Sequence, residues 1–254
     1  MEAIKKIGII GGSGPEATIL LQQMIIDIAR EKYGASRNEH NPHLLIAFVP
    51  VLQDVKDDQE LTQVIDALKS GAQGLAKQGA DVMCLACNTH HLSLKEIEKH
   101  AGKPFLSMVD LVTDKTKELK AEKDQEAEEA GKEPLPYRVA VIGTSYTLRN
   151  ALYDGSLTEA GIELVDIGEE LTERSHKIIG RVLSGLKPEM VTEYEALITE
   201  LTEKFDFDAL ILGCTEFSVL AHRGKQQGGN LHNIEIIDPL RLLAEAVVEA
   251  SYKK

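Results

Sequence analysis

Two stretches decide the fold: GADVMCLACNTHHLS at residues 79–93 and FDFDALILGCTEFSVL at residues 205–220. In each, a short apolar run gives way at a cysteine to a polar pair, Asn88-Thr89 after Cys87 and Thr215-Glu216 after Cys214. A continuous apolar run of four to eight residues suits a strand buried on both faces, as in a parallel sheet with helices on either side. Upstream, each stretch has its own opening strand and turn, IGIIGGSGP from Ile7 and VAVIGTSYT from Val139. Ile7 to Cys87 is 80 positions and Val139 to Cys214 is 75. The chain therefore reads as two similar halves, each with a cysteine where a central strand passes into a helix.

Further strands are expected at Lys6–Ile10, His43–Val49, Asp81–Ala86, Pro104–Val109, Arg138–Ile142, Ile162–Ile167, Ala209–Leu212 and Ile234–Ile237. Helical periodicity fills most gaps. Leu61, Val64, Ile65, Leu68, Ala72, Leu75 and Ala76 form one apolar stripe, with Gly79 as its stop. KAEKDQEAEEAGKEPLP, from Lys120 to Pro136, is charged, poor in large apolar residues and closed by prolines, so it reads as a helix tail running into a solvated linker. The expected fold class is α/β: two similar domains, each a mostly parallel sheet flanked by helices, related by pseudo-symmetry, with the active site in the cleft between them. The expected boundaries are 1–115 plus 235–254 for the first domain, 137–222 for the second, and 116–136 for the linker.

Composition narrows the function classes. The chain has 254 residues, 43% apolar and 27% charged, as in ordinary globular proteins. With 41 Asp and Glu against 28 Lys and Arg, the net charge of −13 argues against a nucleic-acid or anionic-membrane partner. Three cysteines are too few for a secreted disulfide scaffold, and the opening apolar stretch is broken at Gly11–Gly14 before a signal-peptide core is complete. No run reaches the ~20 apolar residues of a membrane span. A cytoplasmic location is expected.

In open parallel sheets, ligands bind beyond the carboxyl ends of the strands, which is where Gly11–Gly14, Cys87–Thr89, Gly143–Thr147 and Cys214–Glu216 fall. Two domains facing each other would bring Cys87 and Cys214 to opposite walls of one cleft. Two thiols flanking one carbon suit a two-base exchange, in which a thiolate removes a proton from one face and the opposing thiol returns one to the other. A helix N-terminus favours the thiolate, and both cysteines precede an expected helix start. The same N–H donors, with the Thr89 and Thr215 hydroxyls and the Asn88 amide, could hold a carboxylate and stabilise enolate-like charge.

Other readings compete at several positions. Cys84 lies inside a strand and reads as core. Cys84 and Cys87 spell C-x-x-C, but a separation of three in a strand sends the side chains to opposite faces, unlike a redox pair. A zinc site from Cys84, Cys87, His90 or His91 and Cys214 has the ligand types without the usual paired spacing. Ser13-Gly14-Pro15-Glu16 has the form of a capping box, leaving Ser13 as a cap alone or as a cap that also touches ligand. Gly12-x-Gly14-x-x-Ala17 is a loose dinucleotide fingerprint, yet HLLIAFVP supplies no terminal acid for a ribose, and no G-K-[ST] follows. His91 reads either as a group orienting a catalytic residue or as an ordinary residue at a helix start.

GGSGPEAT from Gly11, ACNTHH from Ala86 and LGCTEF from Leu212 resemble the aspartate/glutamate racemase family, and the resemblance runs over nearly the whole chain, through KPFLSMVD from Lys103 and GTSYTLRNALYDGSLTEAGIEL from Gly143. It implies a cofactor-independent enzyme without a metal, two α/β domains around a shared cleft, and often a dimer. It implies Cys87 and Cys214 as the acid/base groups, substrate contacts from Gly12, Ser13, Asn88, Thr89, Thr144 and Thr215, and supporting roles for His91 and Glu216. It also implies that the C-terminal helix, near Asp238–Ala250, returns to the first domain. Aspartate-specific members tend to carry an arginine near Val55 and a lysine near Leu183, leaving Lys56 and Arg181 as the neighbouring cations here. His90 stands where the family usually has a small residue.

The expected function is racemisation of aspartate, glutamate or a related polar amino acid, with a small-molecule amino acid as partner. The alternatives are another cysteine-dependent reaction, maleate cis–trans isomerisation or hydantoin racemisation, or a non-catalytic small-ligand binder.

Overall fold

The structure, a computed structural model, describes residues 4–53, 55–226 and 234–253. Residues 1–3 of the opening stretch, Asp54 in VPVLQDVKDD, and Lys254 at the end of the expected first domain lie outside them. The chain divides into two compact units, Met1–Met108 with Leu240–Lys254, and Val109–Pro239.

Unit 1 is built from β1 (Ile7–Gly11), α1 (Pro15–Tyr33), β2 (Leu44–Phe48), α2 (Asp58–Lys77), β3 (Val82–Leu85), α3 (Leu94–Ala101) and β4 (Phe105–Leu106). Its four strands lie in the order β2-β1-β3-β4, and every pair is parallel. β1 and β3 are buried along their whole length, as expected of inner strands covered on both faces. On one face Val64, Leu68, Ala72 and Leu75 of α2 pack with Ile10, Met83, Leu85 and Phe105. Four residues of the stripe read from the sequence form this surface, while Leu61, Ile65 and Ala76 are only half-buried, and Gly79 turns the chain at φ 81°.

Helix α2 also has a start that the sequence reading passed over. Asp57 caps the N–H groups of Gln59 and Glu60 at 3.0 and 2.9 Å, while Glu60 reaches back to the Lys56 N–H at 2.8 Å. This reciprocal arrangement satisfies donors that would otherwise lack acceptors at a helix start.

Helix α4 (Met108–Glu129) begins at the division, two residues after β4, so the strand expected to reach Val109 is cut short by a helix start. Much of the expected linker is the later part of this helix. Its side chains are charged because most of them face solvent, and Lys120–Asp124 forms an ion pair along it.

Unit 2 continues with β5 (Tyr137–Ile142), α5 (Ser145–Arg149), α6 (Asp154–Glu159), β6 (Ile162–Val165), α7 (Gly168–Leu183), α8 (Glu189–Lys204), β7 (Ala209–Leu212), α9 (Thr215–Gln226) and β8 (Glu235–Ile237). Its order, β6-β5-β7-β8, repeats that of unit 1, again all parallel. Its core joins Ala140, Ile142, Leu210 and Leu212 to Ile178, Ile179, Tyr194, Leu197 and Phe217.

Helix α10 (Pro239–Tyr252) then completes unit 1. Ser251 O accepts the Lys5 N–H at 3.0 Å, Tyr252 stacks on Tyr33 with centroids 4.1 Å apart, and the Tyr252 hydroxyl donates to His40 O. No described helix is long and apolar enough to cross a membrane.

Candidate active site

In each unit the chain moves to one side of its first strand and then to the other, so the strand order reverses between β1 and β3, and between β5 and β7. Beyond the carboxyl ends of such a strand pair, the outgoing loops diverge and leave a crevice. Gly12, Ser13, Cys87, Asn88 and Thr89 occupy that place in unit 1, and Thr144, Cys214, Thr215 and Glu216 occupy it in unit 2.

The turn after β1 is shaped by close backbone approach. Gly12 has φ 99°, and a Cβ there would lie 2.6–2.8 Å from the backbone of Val49. No larger residue fits without moving the end of β2. The Gly12 N–H donates to Thr18 Oγ1 at 3.0 Å, which locks the turn to the first turn of α1.

The expected capping box does not form. Gly14, at φ 89°, is the N-cap of α1, and no side chain caps it. With the cap one residue later, Ser13 is freed from that role, and its Oγ instead lies 2.7 Å from His90 Nε2. Glu16 remains in the first helical turn, where a negative charge is favourable.

Cys84 pairs in register with Ile9 and Leu106 inside β3 and is fully buried, which pushes its thiol up to about 12. Cys87 is half-buried beyond the strand. The segment after it is not the α-helix expected there but a 3-10 turn, Thr89–Ser93, with α3 starting only at Leu94. A helix dipole is therefore not aimed at Cys87 from its own loop.

His91 fixes this turn. Its Nε2 accepts the Met108 N–H at 3.0 Å, so that nitrogen carries no proton, and its Nδ1, 2.7 Å from Cys87 O, must be the donor. The neutral Nδ1–H tautomer thus ties the Cys87 carbonyl to the start of α4. His91 thereby holds the backbone of Cys87 in place. Burial, with His91 beside it, lowers His90 to about 4, so its ring is neutral at pH 7.

In unit 2, a Cβ on Gly213 would lie 2.9 Å from Ile142 O, so the ends of β5 and β7 approach as closely as backbone allows. Thr144 caps α5, accepting the Thr147 N–H at 3.0 Å. Cys214 directly precedes α9 and is 7% exposed. Its Sγ donates to Glu216 Oε2 at 2.9 Å, and the Thr215 hydroxyl reaches the same oxygen at 3.4 Å. Below them Ser218 donates to Asp238 Oδ1 at 2.6 Å, a contact no sequence spacing announced.

The positions where cations were sought hold packing residues. Val55 packs on the unit 1 core and Leu183 on the unit 2 core. Arg181 pairs with Glu193 on α8, and Lys56 is exposed. Among the described residues, no group of three His, Cys, Asp or Glu side chains could hold a metal ion.

The family described as Asp/Glu/Hydantoin racemase matches residues 10–247. The broad specificity amino-acid racemase RacX of Bacillus subtilis is 26% identical over 95% of this chain and 96% of its own. The crystal structure of an aspartate racemase homologue from Pyrococcus horikoshii superposes with a TM-score of 0.70 at 25% identity, covering 98% of this chain and all of the other. Picrophilus torridus aspartate racemase, at 24% identity and a TM-score of 0.73, covers 98% of this chain and 95% of its own, and shows the same fold.

Proposed function

The chain belongs to the Asp/Glu/hydantoin racemase family, and from that premise we propose that it is a cofactor-independent amino-acid racemase using Cys87 and Cys214 as its two acid/base groups. One observation carries the reading: each unit places a cysteine two residues past the end of its third strand in sequence, β3 or β7, beside the point where strand order reverses. One thiolate takes the α-proton, and the other thiol protonates the opposite face of the planar carbanion, so the configuration inverts.

The surrounding groups fit those tasks. Asn88, Thr89, Thr144 and Thr215 with the turn at Gly12 and Ser13 offer neutral donors for a carboxylate, where charge develops during proton removal. Glu216 accepts a hydrogen bond from the Cys214 thiol in the resting pair. The substrate class we propose is broader than aspartate and glutamate. The loop after β2 presents Val55 to one core and the last turn of α7 presents Leu183 to the other, and the similarity to a broad specificity racemase supports a site without a dedicated cation for a second carboxylate.

The test is loss of the α-proton signal in heavy water, followed by NMR, with L-aspartate, L-glutamate, L-alanine, L-serine and L-lysine. Exchange with at least one, abolished by Cys87→Ser and by Cys214→Ser, is expected. No exchange with any of the five overturns the proposal.

A further inference from the structure

The Ser13–His90 hydrogen bond joins residues 77 positions apart, from the turns that follow β1 and β3. Those are the strands between which the order of unit 1 reverses. Capping explains neither side chain: Gly14 is the cap of α1, and His91, not His90, ties down the Cys87 turn.

We infer that His90 is a positioning residue for substrate recognition: its Nε2–H donates to Ser13 Oγ, so the Ser13 hydroxyl turns its own proton away from the ring and toward a ligand carboxylate beyond β1. This rests on the racemase reading above. A serine hydroxyl has one proton to give, and once Oγ accepts from Nε2–H, that proton must point elsewhere. The ring, with its acid form suppressed by burial to about 4, carries a single proton at pH 7, so the bond has one of two directions. The neighbouring donors select between them. Helix α1, 19 residues long, presents its first-turn N–H groups at this turn without a side-chain cap, which favours an anion there. A hydroxyl that donates adds to such a site, whereas one donating to His90 would present lone pairs to the same anion. His90 therefore contributes orientation without adding a charge.

The first measurement is the His90 tautomer in the full-length protein, read from long-range 15N–1H correlations. The Nε2–H form is expected, and the Nδ1–H form overturns the inference whatever the activity. The second is kinetic, on whichever of the five amino acids exchanges fastest. His90→Leu keeps bulk but cannot donate, and should raise KM about 3- to 10-fold, the size of one neutral hydrogen bond, with kcat within about twofold. His90→Gln, whose amide can donate, should restore much of the loss. Ser13→Ala should cost less in the His90→Leu background than in the wild type, because the orientation of the hydroxyl it removes is already lost there. An unchanged KM in His90→Leu, or additive losses in the double variant, refutes the positioning role. A wild type that exchanges none of the amino acids sinks the racemase reading instead, and the tautomer still decides whether His90 holds the Ser13 hydroxyl as stated.

Discussion

Replacing Glu216 with glutamine changes one oxygen for an NH2 group, keeps the volume, and removes the acceptor charge that faces the Cys214 thiol at 2.9 Å. The size of the effect depends on what Glu216 does. A hydrogen bond to a charged partner contributes about 1.5–3 kcal/mol and a neutral one about 0.5–1.5. The difference, about 1–1.5 kcal/mol, is about 5- to 13-fold, the loss expected if the carboxylate only orients the thiol. If it also takes the thiol proton when Cys214 must act as base, an amide cannot do so, and general-base losses of about 10²–10⁴ apply. Both groups are nearly sequestered from water, Cys214 at 7% and Glu216 at 5% exposure, which leaves bulk solvent poorly placed to substitute. We predict a fall in kcat of at least about 100-fold. The assay follows both antipodes of the best substrate by chiral chromatography. Because the antipodes have equal free energy, kcat/KM must fall by one common factor in both directions, which serves as an internal control. A loss of only 5- to 13-fold would refute the relay, and activity within twofold of wild type would refute any role for the pair.

Other predictions concern each unit separately. Cys87→Ser and Cys214→Ser should each lower turnover by at least about 10³-fold with little change in the urea midpoint, whereas Cys84→Ala should leave turnover near wild type. With its thiol pushed up to about 12, Cys84 is about 1 part in 10⁴ thiolate at pH 8, so peptide mapping after brief iodoacetamide treatment should find it unmodified. Gly12→Ala places a Cβ 2.6–2.8 Å from the Val49 backbone at φ 99° and should cost about 2–4 kcal/mol in urea unfolding, through strain and displacement of the end of β2; a cost below 1 kcal/mol would show that the turn relaxes freely. His90 is lowered from 6.5 to about 4 in the folded chain, so between those values the unfolded chain binds more protons. Stability from this group is complete above about pH 6.5 and is lost as pH falls toward 4, by about 3 kcal/mol, and His90→Gln should flatten that part of the pH–stability curve.

The sheets were readable because inner parallel strands are continuous apolar runs and the intervening helices are amphipathic, so all eight strands fall within two residues of their expected starts. The errors sit where a single backbone angle decides. Ser13 and Glu16 have the spacing of a capping box, but the left-handed Gly14 takes the cap, while the box-like start of α2 at Asp57 and Glu60 carries no serine or threonine to attract notice. The helix expected after Cys87 is a 3-10 turn because His91 spends its ring on Cys87 O and Met108 N. Both cysteines were legible as strand ends. The partnership of Ser13 with His90 was not, since it follows from β1 and β3 being neighbours, which only strand order reveals.

Unit 1 is assembled from two separated pieces of chain, and unit 2 from one. On a ribosome, every residue of unit 2 through β8 is made before α10 exists. The β1–β4 sheet must therefore wait with the surface that α10 covers still open, including Tyr33 and the Lys5 backbone, while the later unit has all its own strands available. Synthesis order and completion order are thus reversed for the two halves. Substitutions along α10 should consequently act first on yield during expression, through the unit whose sequence lies farthest away.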